Sequence, residues 1–245
     1  MKEQIYTIPV KDAFSSDCEC PLCRMHKDLE DAAVAFVLSP SYMEEDVRGQ
    51  TNDLGFCPQH MSRLYNEGNV LGLCLMLESG MKHQHQKLMG LTKDASSSSS
   101  KGIFGRKNKD EGSDVAAFRA SYKKSCYICN RIDTTFDRYI DTFFQLYKKD
   151  GDFRKSVEMG KGYCVDHFLL LWEKAPQYLA KDQLTSFRTM LRDQMDQSLT
   201  RIESDLEWFE KKFDYQYRDQ PWKNSKDAVP RAVLKLNSQF LPPKK

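Results

Sequence analysis

No stretch of the sequence approaches the roughly 18 consecutive apolar residues of a membrane-spanning helix. The start, MKEQIYTIPVKDAF, has neither the apolar core nor the small-residue cleavage site of an export signal. An excess of charge of either sign is also missing: Lys and Arg total 37 against 35 Asp and Glu, a formal net charge of +2. That balance gives no global attraction to nucleic acid or to an anionic membrane, and neither is expected as a partner. These absences predict a soluble cytoplasmic protein. In that compartment the eight cysteines read as reduced thiols kept for metal or redox chemistry rather than as disulfides. A chain of 245 residues is long enough to bury one large or two small cores, so core size is not what demands them.

What is present is a repeat. The pair Cys20 and Cys23 (CPLC) matches Cys126 and Cys129 (CYIC) at an offset of 106, and Cys57 and His60 (GFCPQH) match Cys164 and His167 (GYCVDH) at an offset of 107. In each copy 33 or 34 residues intervene between CxxC and CxxH. Gly55-Phe56 corresponds to Gly162-Tyr163, and Leu64-Tyr65 to Leu171-Trp172. A tetrahedral zinc with Zn–S near 2.3 Å needs neighbouring sulfurs about 3.8 Å apart, a spacing that CxxC reaches across a tight turn. CxxH supplies the opposite edge, with an imidazole nitrogen as the fourth ligand, so each copy is expected to close its own Cys3His site and the chain to bind two zinc ions. The glycine lets the backbone turn sharply into the second knuckle, and the aromatic shields the thiolates. Three thiolates, a neutral imidazole and Zn2+ leave about one net negative charge, which calls for lysines or backbone amides nearby. Redox pairs or a redox-labile zinc, and an iron or iron–sulfur centre, are the competing readings of the same ligands. A catalytic Cys164–His167 pair is disfavoured because neither an orienting acid nor an oxyanion element accompanies it. Cys18 and Cys74 have no counterpart in the other copy; Cys74, in the apolar run LGLCLML, reads as a small buried hydrophobe.

Both CxxC pairs open a helical pattern. Leu22, Met25, Leu29, Ala33 and Phe36 or Val37 share one face in the first copy; Ile128, Ile132, Phe136, Tyr139 or Ile140, Phe143 and Tyr147 share one in the second. A longer stripe runs Leu184, Phe187, Leu191, Met195, Leu199, Ile202, Leu206, Phe209, Phe213. It must be covered by the matching helix of the first copy (Val70, Leu73 or Cys74, Leu77, Met81, Leu88) or by a second chain in a homodimer. Only IYTIPV suggests a strand, so the fold class expected is all-α. The division expected is a first Cys3His module over residues 1–91, a flexible Ser/Gly/Lys-rich linker over 92–117, a second module with the long helix over 118–216, and a basic amphipathic tail over 217–245 that docks on its own domain or binds a partner.

The segments IYTIPVKDAF, CPLC, SPSYMEEDVRGQTNDLGFCPQH and the NVLGL that follows resemble an uncharacterised bacterial family, common in Firmicutes and catalogued only as a domain of unknown function. Its members are sometimes labelled as transporter substrate-binding proteins. That label fits poorly here, because such a protein needs export and a two-lobed α/β architecture. The resemblance implies no activity, substrate or catalytic residue. The function expected is a zinc-stabilised helical adaptor or regulator that binds protein, with Glu44, Glu45, Asp46 and Arg48 as a candidate recognition surface. The alternative is a thiol and zinc redox sensor or redox-activated chaperone.

Overall fold

The computed structural model describes residues 2–92 and 111–241, and among them every regular element is helical. The chain opens with α1 (Lys2–Ser15) and continues through α2 (Pro21–Leu38), α3 (Glu45–Leu54), α4 (Pro58–Asn66) and α5 (Val70–Leu91). After α6 (Glu111–Lys124), the series α7 (Tyr127–Lys149), α8 (Gly151–Glu158), α9 (Val165–Lys174) and α10 (Lys181–Lys211) repeats α2 to α5 element by element. The last helix is α11 (Ala228–Asn237). The fold is therefore all-α and internally duplicated.

Two compact units emerge, one made of Met1–Asp28 with Phe136–Lys245 and the other of Leu29–Thr135. The division falls inside α2 and α7, so the units do not coincide with the two copies read along the sequence. In the first unit an aromatic core gathers Phe14 and Phe143 (ring centroids 5.3 Å apart), Phe143 and Phe144 (5.0 Å), Phe144 stacked on Tyr178 (4.5 Å), and Tyr147 against Phe187 (5.0 Å). In the second unit Ala33, Val34 and Val37 of α2 pack with Leu64, Leu73, Met76, Tyr127, Ile128 and Ile132.

Several sequence expectations change. IYTIPV is helical, not a strand, even with Pro9 inside α1. Tyr6, Val10, Ala13 and Phe14 recur at helical spacing; the last three are buried, and Tyr6 meets Tyr139 at 6.0 Å. Packing on that face outweighs the β preference of the branched residues. Of the expected linker, 111–117 is helical within α6, where Ala116 and Ala117 favour a helix and Phe118 stacks on Tyr122. Residues 93–110, with the Ser run and KGIFGRKNK, lie outside the described residues.

The 31-residue α10 rises about 1.5 Å per residue, and it packs against α9 and α11 of its own unit. Its buried face is Phe187, Leu191, Gln194, Ser198 and Ile202, while Phe213, the end of the expected stripe, is exposed. One of the two polar members, Gln194, has a local cause. Gln194 Nε2 donates to the carbonyls of Val157 at 2.6 Å and Glu158 at 3.0 Å, satisfying groups that the end of α8 leaves without helical partners. Cys74 is exposed, not buried, because α5 turns Leu73 and Met76 inward instead.

Part of the basic tail docks as α11 on α9 and α10. The stripe that faces inward is not Val229, Val233, Leu236 and Phe240; Ala228, Leu234 and Lys235 are buried, and Leu236 is exposed.

Candidate metal centres

The eight ligands predicted from sequence converge in two clusters, but the pairing crosses between copies. Cys20 and Cys23 meet Cys164 and His167; Cys57 and His60 meet Cys126 and Cys129. Within each set the four ligand atoms all lie within 4.8 Å of one another. The expectation that each copy closes its own site is thereby corrected. The reason lies in where the chain around the second knuckle packs. His60 Nε2 is held at 3.2 Å from Glu30 Oε1, in the part of α2 that belongs to the second unit. The start of α7 arrives at the same place: the Tyr127 N–H donates to the Gly55 carbonyl at 2.9 Å.

Each knuckle follows from its local sequence. Gly55 and Gly162 adopt φ of 61° and 80°, a region that side chains other than glycine rarely occupy, and each turn delivers a cysteine to the N-cap of the next helix: Cys57 to α4, Cys164 to α9. One helical turn later His60 and His167 lie buried on the same face. In the first cluster, Cys164 Sγ lies 3.2 Å and Cys23 Sγ 3.3 Å from His167 Nδ1, with Cys20 Sγ at 3.5 Å from it and Cys23 Sγ 3.5 Å from Cys164 Sγ. In the second, His60 Nδ1 lies 3.3 Å from Cys57 Sγ and 3.4 Å from both Cys126 and Cys129 Sγ, and Cys57 and Cys129 Sγ are 3.9 Å apart. These are close to the edges of a tetrahedron with metal–sulfur bonds near 2.3 Å and metal–nitrogen bonds near 2.0 to 2.1 Å. The donor set therefore fits a tetrahedral metal ion bound through Nδ1.

Proton affinities within the first cluster tell the same story. Burial alone would lower His167, but hydrogen bonding to Cys164 and Cys20 raises it to about 10. Cys164 is held far below an ordinary thiol by hydrogen bonds from Cys20, Cys23 and His167, while contact with Cys164 and Cys20 pushes Cys23 well above one. Four close-set donors share protons in positions that a divalent cation would claim.

The surroundings differ between the clusters. All four ligands of the first are buried. Its sulfurs accept from the N–H of Cys23 (to Cys20, 3.4 Å), the N–H of His167 (to Cys164, 3.4 Å) and the Ser238 hydroxyl (to Cys164, 3.1 Å). Beside it, Lys235 is 1 % exposed; its ammonium donates to the carbonyls of Glu19 at 2.7 Å and Lys161 at 2.8 Å and lies 3.4 Å from the Glu19 carboxylate. Burial lowers the Lys235 pKa, and the negative charges of Glu19 and Cys20 pull it back. Arg201 completes the group at 2.6 Å from Glu19. Pro21, at the position of Tyr127, has no N–H to give, so the lysine serves the turn before Cys164 where a backbone donor serves the other.

In the second cluster Cys57 and Cys129 are half-buried. Cys57 caps α4 without a side-chain capping bond, and no backbone N–H donates to a cluster sulfur among the described residues. His60 Nε2 pairs with Glu30, which Arg63 anchors at 3.1 Å. The equivalent contact in the first cluster is apolar: Phe136, which stands where the repeat has Glu30, places its ring 5.4 Å from that of His167.

Sequence reasoning reached the eight residues that the two clusters gather and called for lysines or backbone amides nearby, but it did not reach Glu19, Glu30, Ser238 or Lys235 by number. Glu30 was visible as the position of the repeat where Phe136 departs from it. The tail residues carried no comparable signal. Of the proposed recognition residues, Glu44, Glu45 and Asp46 are exposed, whereas Arg48 donates to the Leu75 carbonyl at 3.1 Å and so anchors α5.

Residues 1–242 match the model of a family described as "Family of unknown function (DUF6062)". The chain belongs to that family. None of the curated proteins and none of the solved structures matches it.

Proposed function

We propose that each cluster holds one zinc ion in a structural role, two per chain, and that the helical body so fixed acts in the cytoplasm as a protein-interaction adaptor or regulator. The observation that carries the metal reading is the convergence of four strong protein ligands in each cluster. Three thiolates and an imidazole fill a tetrahedral zinc and leave no position for a reacting water, which is the arrangement of sites that hold structure. Zinc suits this donor set because it takes soft thiolates and imidazole together in tetrahedral geometry.

The interaction reading rests on α5. Its exposed residues Val70, Cys74, Leu77, Met81 and Leu88 recur on one side of the helix, and contiguous exposed apolar surface of this kind favours a binding face. The test is native mass spectrometry of protein purified without chelator or added metal, followed by capture of binding partners with wild type and a Leu77→Glu, Met81→Glu variant. Two zinc ions per chain and a partner lost only by the variant support the proposal. A metal-free, folded chain refutes the first half, and capture unaffected by the substitutions refutes the second.

A further inference from the structure

The duplication supplies an internal control, because the same four ligands are set in two different environments. In the first cluster every ligand is buried, the Lys235 ammonium holds the neighbouring carbonyls of Glu19 and Lys161, and three hydrogen bonds reach the sulfurs. Donors of this kind withdraw electron density from thiolates and block approach. In the second, Cys57 and Cys129 reach the surface, and the His60 imidazole is backed by the Glu30 carboxylate at 3.2 Å. A carboxylate on the outer nitrogen makes a histidine ligand more basic. The metal then draws less density from its thiolates, which stay more nucleophilic. Exposure and thiolate character are the two properties that select cysteines for oxidation.

Resting on the zinc reading above, we propose that the second cluster is an oxidation-responsive site and that Cys57 and Cys129 are the residues modified, while the first cluster stays structural. The oxidant class is a hydroperoxide. One thiolate attacks the terminal peroxide oxygen; the O–O bond breaks, alkoxide (hydroxide from hydrogen peroxide) leaves, and a sulfenic acid forms. The other sulfur, 3.9 Å away, attacks the sulfenic sulfur, expels hydroxide and closes a Cys57–Cys129 disulfide. Two thiolates lose two electrons, the peroxide gains them, and Zn2+ departs because only Cys126 and His60 remain to hold it. A thiol reductant and zinc restore the starting state.

The experiment exposes the zinc-loaded full chain to excess hydrogen peroxide, follows released zinc with a chromogenic chelator, and maps disulfides by mass spectrometry. One zinc per chain should appear at least ten-fold faster than the other, together with a Cys57–Cys129 link. Release of both at one rate, or a first link among Cys20, Cys23 and Cys164, overturns the proposal. Absence of zinc before any peroxide is added is a separate result: it removes the zinc reading itself and the proposal with it. A Glu30→Gln variant should slow the fast phase several-fold and leave the slow phase alone. An unchanged fast phase overturns the part assigned to the carboxylate.

Discussion

Replacing Lys235 by alanine isolates what the docked tail contributes to the first cluster. The side chain is 1 % exposed, its ammonium bonds two carbonyls at 2.7 and 2.8 Å, and it lies 3.4 Å from Glu19, which is itself 6 % exposed. Removing one partner of a buried pair leaves the other uncompensated and costs about 3 to 5 kcal/mol. For a chain of this size each kcal/mol moves the midpoint by roughly 2 to 4 °C, so Lys235→Ala should lower it by about 6 to 20 °C. Arg201 still holds Glu19 at 2.6 Å, which argues for the lower half of that range. Thermal unfolding of zinc-loaded protein followed by circular dichroism is the assay, with Lys235→Met retaining the aliphatic packing and exposed Lys226→Ala as the surface control. A loss for Lys235→Ala no larger than for Lys226→Ala, which should stay within about 0.5 kcal/mol, would refute the reasoning.

Three other outcomes are expected. Cys164→Ser should sharply lower solubility and thermal stability, because metal binding contributes about 10 to 16 kcal/mol in small structural zinc modules, whereas Cys74→Ser, at an exposed position, should be nearly silent; equal effects on the melting curve would count against structural metal. Gly162→Ala places a Cβ 3.4 Å from the Gln194 carbonyl at φ +80° and should cost about 1 to 3 kcal/mol, read by urea unfolding against Gly80→Ala, whose surroundings are open to 3.7 Å. Burial and the hydrogen bond to Asp141 push Tyr178 up to about 12. The unfolded chain releases that proton near pH 10 and the folded chain only near 12, so stability falls as pH rises through this window. Tyr178→Phe should flatten that fall, and an alkaline slope identical to wild type would contradict the assignment.

The helices that each CxxC opens and the eight clustered residues were legible in the sequence because both rest on local spacing. CxxC and CxxH fix their own turns, and the periodicity that opens at Leu22 and Ile128 continues into α2 and α7. The crossing of partners was not legible. Cys57 carries no mark to say which CxxC completes its cluster; that depends on where along α2 the chain returns, which the fold sets through contacts such as His60 with Glu30 and Arg63 with Asp31. For the same reason the polar face of α10 escaped periodicity, since Gln194 is buried to serve the end of α8. The chemistry of the tail was half visible. Lysines or backbone amides near three thiolates followed from charge, but Lys235 could be picked out only once α11 had docked.

The crossed pairing is the central claim, and native mass spectrometry of two double variants tests it most directly. Cys20→Ser with Cys164→Ser strikes one cluster twice and should leave one zinc per chain. Cys20→Ser with Cys57→Ser strikes both clusters and should leave none. One zinc in the second variant and none in the first would mean that each copy closes its own site, and would contradict the account.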